Sequence, residues 1–75
     1  MDKKQLFDIL MRGEIIKVKT SFGTLSFFQN YTGIQSHYRS NNGDTDSNCR
    51  IYSTIDEMVN VIFDRQQESK EQEVV

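Results

Sequence analysis

Apolar residues recur at helical spacing at both ends of this chain and at every second position between them. Leu6, Ile9 and Leu10 repeat with the period of a helix, and Phe7 and Met11 widen the stripe. Asp2 stands three residues before Gln5, the spacing of a capping box, and Arg12 followed by Gly13 reads as a helix end with its C′ glycine. A helix is therefore predicted over residues 3–12. Towards the other end Ile55, Met58, Val59, Ile62 and Phe63 fall at i, i+3, i+4, i+7 and i+8, a single stripe. Thr54 with Glu57 forms a second capping box, and Asp56 and Glu57 suit the positive end of the helix dipole.

Between the helices the period is two. The four glycines at 13, 23, 33 and 43 space the chain at ten-residue intervals, the rhythm of a strand, a turn and another strand. Ile16 and Val18 alternate with Lys17 and Lys19, Leu25 and Phe27 with Ser26 and Phe28, and Ile34, Ser36 and Tyr38 with Gln35, His37 and Arg39. Asn42-Gly43 is the strongest hairpin signal, since both central residues of a type I′ turn need positive φ. Taken as a two-residue turn, it pairs Ile34 with Ile51, Ser36 with Cys49 and Tyr38 with Ser47 on one face. On the other it pairs Arg39 with Asp46, His37 with Asn48 and Gln35 with Arg50. Residues 44–48 are poor in strand formers, so regular pairing is expected only over about 48–52.

The expected architecture is α+β, in the order α-β-β-β-β-α. An antiparallel meander of three to four strands carries the N- and C-terminal helices on one face. Residues 1–65 form one small domain. Beyond Phe63 the chain turns polar; this stretch is expected to extend the helix by a turn or two and then fray, so residues 66–75 read as an acidic, flexible tail.

Composition narrows the functional classes. A chain of 75 residues buries only about 60–65% of its unfolded surface, so a disulfide, a metal or a partner subunit would help it. One cysteine and one histidine allow neither an internal disulfide nor a side-chain zinc cage. A dimer, or an unusually well-formed core, is correspondingly favoured. The start is amphipathic and unlike a secretory leader, and no apolar run approaches the roughly 20 residues that cross a bilayer. With a lone thiol, these features predict a cytoplasmic protein without a membrane partner. Residues 1–50 carry seven Lys/Arg against five Asp/Glu, and residues 51–75 two against six. The first part is too weakly basic to mark a dedicated DNA-binding domain.

The candidate working surface is the sheet face turned away from the helices. In the predicted register it displays Lys17, Lys19, Phe28, His37, Arg39, Arg50 and Tyr52. Cations among aromatic rings are what a single-strand nucleic-acid platform uses, the charges tracking phosphates and the rings stacking on bases. A solvated polar face is also what an antiparallel sheet normally keeps. Phe22, Phe28, Tyr31 and Tyr52 fall in turns or on that face, and large rings outside a core suit a protein interface.

Other chemistry fails on spacing. Residues 44–48 resemble the start of a calcium loop, but Cys49 stands where its turn needs glycine and Ile55 where it needs a bidentate glutamate. The predicted register sends Cys49 inward and His37 outward, which forbids a thiol–imidazole pair. Asp56 and Glu57 are accounted for by the helix start, and a chain this short has little room for a deep pocket. The expectation is thus a non-enzymatic binding or regulatory module, without cofactor, metal or small-molecule substrate, acting through a protein partner. Binding of single-stranded nucleic acid is the alternative. In size and plan the chain resembles many small bacterial and phage proteins.

Overall fold

The computed structural model describes residues 1–40, 48–68 and 71–74. The elements are α1 (Lys3–Met11), β1 (Ile16–Lys19), β2 (Gly23–Asn30), β3 (Gly33–Ser40), β4 (Asn48–Tyr52), α2 (Ile55–Glu68) and β5 (Glu71–Val74). Strands β1 to β4 form an open antiparallel meander flanked in sequence by the two helices, the α+β plan read from the pattern. The sheet order is β4-β3-β2-β1-β5.

Local chemistry sets the boundaries. The Asp2 carboxylate accepts from the Gln5 amide at 2.8 Å while the Gln5 side chain accepts from the Asp2 amide at 2.9 Å, so the first capping box closes in both directions. Arg12 caps the other end and Gly13 follows with φ of 82°, a left-handed conformation that favours glycine. At the second helix the Glu57 amide donates to the Thr54 hydroxyl at 3.2 Å, as expected. The Glu57 carboxylate reaches back one residue further, to the Ser53 amide.

Both hairpin turns before β3 are held by side chains. The Thr20 hydroxyl accepts from the Phe22 and Gly23 amides and donates to the Gly23 carbonyl. At the next turn Asn30 pairs with Gly33 across the ladder, leaving Tyr31 and Thr32 as the two loop residues. The Asn30 side chain accepts there from the Thr32 amide and hydroxyl. Gly23 is needed for space: a Cβ on it would lie 2.8 Å from the Tyr38 hydroxyl and would collide with the Arg39 carbonyl. Gly43 and the Asn42-Gly43 turn lie outside the described residues, as do positions 44–47 of the rejected calcium-loop-like run 44–48 and the expected partners Asp46 and Ser47.

The core lies between the sheet and the helices. Leu6, Ile9 and Leu10 from α1 meet Met58, Val59 and Ile62 from α2 over Ile16, Val18 and Phe27 of the sheet. Each fully buried aliphatic or aromatic side chain contributes about 1.5–3 kcal/mol relative to exposure. The Lys3 ammonium sits 5.2 Å from the Phe63 ring centroid, and the Gln66 amide donates to the Met1 carbonyl at 2.6 Å. These contacts tie the start of α1 to the far half of α2, so the helices lie antiparallel.

Two features depart from the sequence reading. Beyond α2, whose end at Glu68 is the short extension expected of it, residues 71–74 of the expected flexible tail add a fifth strand against β1. The β3–β4 ladder is also displaced by one residue. It pairs Ile34 with Tyr52, Gln35 with Ile51, Ser36 with Arg50, His37 with Cys49 and Tyr38 with Asn48. Side chains alternate with a period of two, so this single step turns every residue of β4 to the opposite face.

Candidate functional site

The outer face of the sheet is set by β1, β2 and β3, whose registers agree with the predicted alternation. Lys17 stands across from Ser26 and Lys19 across from Thr24, and Ser26 and Thr24 in turn face His37 and Arg39. Phe28 is the diagonal neighbour of His37, and their rings stack with centroids 5.3 Å apart and planes inclined by 30°. Lys17, Lys19, Phe28, His37 and Arg39 therefore share one surface, as the alternation of β1 to β3 requires.

Arg50 and Tyr52 do not belong to it. The displaced β4 register carries both to the helix side. Tyr52 is 5% exposed and its hydroxyl lies 3.0 Å from the buried Ser36 hydroxyl. The Arg50 guanidinium rests 4.9 Å from the Tyr52 ring centroid. The predicted contact of Ile34 with Ile51 is replaced by Ile34 with Tyr52. The observed register buries the Tyr52 ring and satisfies its hydroxyl with Ser36, leaving Ile51 outside.

The exchange leaves Ile51 on the outer face, 76% exposed, with Cys49 beside it. Cys49 is thus not the small buried residue that the hairpin register implied. It now stands across from His37 on one face, reversing the expected separation. The thiol donates to the Gln35 side chain at 3.4 Å, and the imidazole is stacked on Phe28, so the two do not address one another. Gln35 also donates to the Thr32 hydroxyl at 2.7 Å, linking this corner of the face to the turn that bears Tyr31. Tyr31 is 99% exposed. Among the described residues no strand pairs with the outer edge of β4, so its backbone groups on that side have no ladder partner.

The opposite edge is different. β5 places Glu73 across from Lys17 and Glu71 across from Lys19. A sheet edge that carries two lysines is thereby met by a strand with two glutamates at the same spacing. The cue was present in the sequence, because Lys-x-Lys at 17–19 and Glu-x-Glu at 71–73 are matched in interval and opposite in sign. Ile51 had no comparable cue: its exposure depends on where β4 stops sliding against β3.

Among the described residues no group of three or more His, Cys, Asp or Glu side chains could hold a metal ion. No described helix is long and apolar enough to cross a membrane. Comparison of this chain with protein-family models, with curated proteins and with solved structures found no match.

Proposed function

We propose that this chain is a non-enzymatic binding module that engages a protein partner through the β4 edge and the outer-face corner next to it. The observation that carries this reading is Ile51: a large apolar side chain, 76% exposed, on a strand whose outer edge meets no other strand among the described residues. Such an edge is a template for a partner strand, with backbone hydrogen bonds giving affinity and side-chain pockets giving specificity. Natural edges that avoid partners are very short, charged, proline-bearing, bulged or covered. β4 reads NCRIY, without lysine or proline, and its one charged residue, Arg50, is turned to the helix side. Tyr31, Phe28 and Ile51 supply aromatic and aliphatic anchors around it, the residue types that concentrate binding energy.

The test is a comparison of wild type with Ile51→Lys, which places a gatekeeper charge on the edge. Light scattering after size exclusion reports self-association, and affinity capture followed by mass spectrometry reports other proteins. The reading expects an assembly or a captured partner that Ile51→Lys abolishes while the circular dichroism spectrum is unchanged. A monomer whose captures are the same for both proteins would refute it.

A second reading rests on the Phe28–His37 stack set among Lys17, Lys19 and Arg39, a ring platform with cations beside it. Single-stranded nucleic acid would bind there with a salt slope of about −2, for three phosphate contacts. Loss of Arg50 and Tyr52 to the helix side, and the glutamates of β5 in register with both lysines, make this the weaker of the two. Titration of labelled single strands at low salt, with the double variant Lys17→Glu, Arg39→Glu as control, tests it.

A further inference from the structure

The two edges of the sheet are finished differently. The β1 edge is covered by β5, a strand of four residues whose antiparallel ladder runs from Lys19–Glu71 to Ile16–Val74. This cover is held lightly. Among the described residues β5 pairs with β1 alone, and none of its described side chains joins the core cluster or packs against it. Val74 is 38% exposed. A short terminal strand secured by one ladder belongs to the low-stability end of a fold, where local opening needs little free energy.

The cover also fits its place only in part. Gln72 stands across from Val18, so it occupies the same side of the sheet as that buried residue, under the helices. Its Nε2 is buried there with no hydrogen-bond partner among the described residues. A buried donor left unpaired is unfavourable, and an apolar side chain at this position would avoid that loss. The outward positions are matched instead: Glu73 stands across from Lys17 and Glu71 across from Lys19, opposite charges in register. The β1 edge thus specifies an occupant that is acidic outside and apolar inside, and β5 meets only the first requirement.

From this arrangement we infer that the β1 edge is a recognition site for an acidic extended segment of another protein, alternating Glu and apolar residues, and that β5 is an internal stand-in which such a segment displaces. Strand addition of this kind takes its affinity from main-chain hydrogen bonds and its specificity from alternate side chains. The receiving strand is well anchored, because Ile16 and Val18 are fully buried in the core cluster. Lys17 and Lys19 on its outward side select and steer an acidic partner. Its tether gives β5 an effective concentration of about millimolar order, so a segment from outside must fit better than β5 does. An apolar residue in place of Gln72 supplies that margin. This edge is the opposite one from β4, and neither proposal depends on the other.

The experiment is a titration of the full chain, labelled with nitrogen-15, using the peptide acetyl-Glu-Val-Glu-Val-amide as the probe and acetyl-Lys-Val-Lys-Val-amide as its oppositely charged control. The inference expects saturable shifts at the amides of Ile16 to Lys19, Gln72 and Val74, with a dissociation constant of about 1 mM or tighter. Two variants alter the stand-in and leave the receiving strand intact, and each variant's own spectrum reports that it is folded. Glu71→Lys with Glu73→Lys sets like charges in register with Lys17 and Lys19, and should tighten peptide binding about threefold. Gln72→Val removes the orphaned amide, strengthens β5 and should weaken the peptide about tenfold. Absence of saturable shifts up to about 10 mM, equal binding of the lysine peptide, shifts confined to β4, or variants that leave the affinity unchanged would each overturn it. Signals of β1 and β5 that already change with protein concentration before peptide is added would assign the edge to the tail of a second copy, and overturn it as well.

Discussion

The β3–β4 register can be tested by the stability cost of one oxygen atom. Tyr52 is buried with its hydroxyl against the Ser36 hydroxyl, which is buried as well. Tyr52→Phe keeps the ring and removes that bond, leaving a buried serine hydroxyl without its partner. The expected cost is about 1–3 kcal/mol, the desolvation penalty of a polar group orphaned in a core. For 75 residues a total stability of about 4–11 kcal/mol is expected, so this loss is large but survivable. Tyr52→Ala would add a cavity and cost about 3–5 kcal/mol, enough to threaten folding, and is the poorer probe. Ser36→Ala should cost a similar amount to Tyr52→Phe, for the same reason. The double variant should cost clearly less than the two added together, with a coupling of about 0.5–1.5 kcal/mol, because both ends of the bond are then gone. Ile51→Thr, on the exposed face, should stay within about 0.5 kcal/mol of wild type. Urea unfolding at constant m-value measures all four, and thermal midpoints should follow at about 4–8 °C per kcal/mol. A reversed order, with Tyr52→Phe neutral and Ile51→Thr costing more than about 1 kcal/mol, would show that β4 lies in the other register and that the proposed edge has no exposed isoleucine.

Other expectations follow from single contacts. Gly23→Ala should destabilise by about 1–3 kcal/mol, since its methyl cannot fit between the Arg39 carbonyl and the Tyr38 hydroxyl without moving the turn; equilibrium unfolding checks it. Asp2→Ala breaks both halves of the first capping box and should cost about 0.5–2 kcal/mol in the same assay. Cys49 should react with a disulfide reagent in the folded protein without prior unfolding, because its thiol faces outward. Truncation after residue 68 removes β5 and should speed hydrogen exchange in β1 while leaving β3 protected, read by native-state exchange.

Much of the candidate surface could be read from residue order, and the part that could not has a definite cause. Lys17, Lys19, Phe28, His37 and Arg39 share a face because β1, β2 and β3 are joined by short turns. In these the side chains of Thr20 and Asn30 stop the chain where it must reverse. Arg50 and Tyr52 were misplaced because the stretch between β3 and β4 is longer and poor in apolar residues, so no local pattern fixes how far β4 slides.

Local chemistry thus decides which segments are helix and which are strand, where the helices begin, and which side of the first three strands is buried. Those outcomes depend on neighbours within about four residues, through caps, turns and side-chain alternation. Packing across the fold decides the rest: the β4 register, the exposure of Ile51 and the pairing of the acidic end with β1. A slip of one residue or the docking of a strand 50 positions away changes little in local energy. Its free energy comes from distant partners, such as Ser36 for Tyr52 and Ile16–Lys19 for Glu71–Val74, which meet only once the chain has folded.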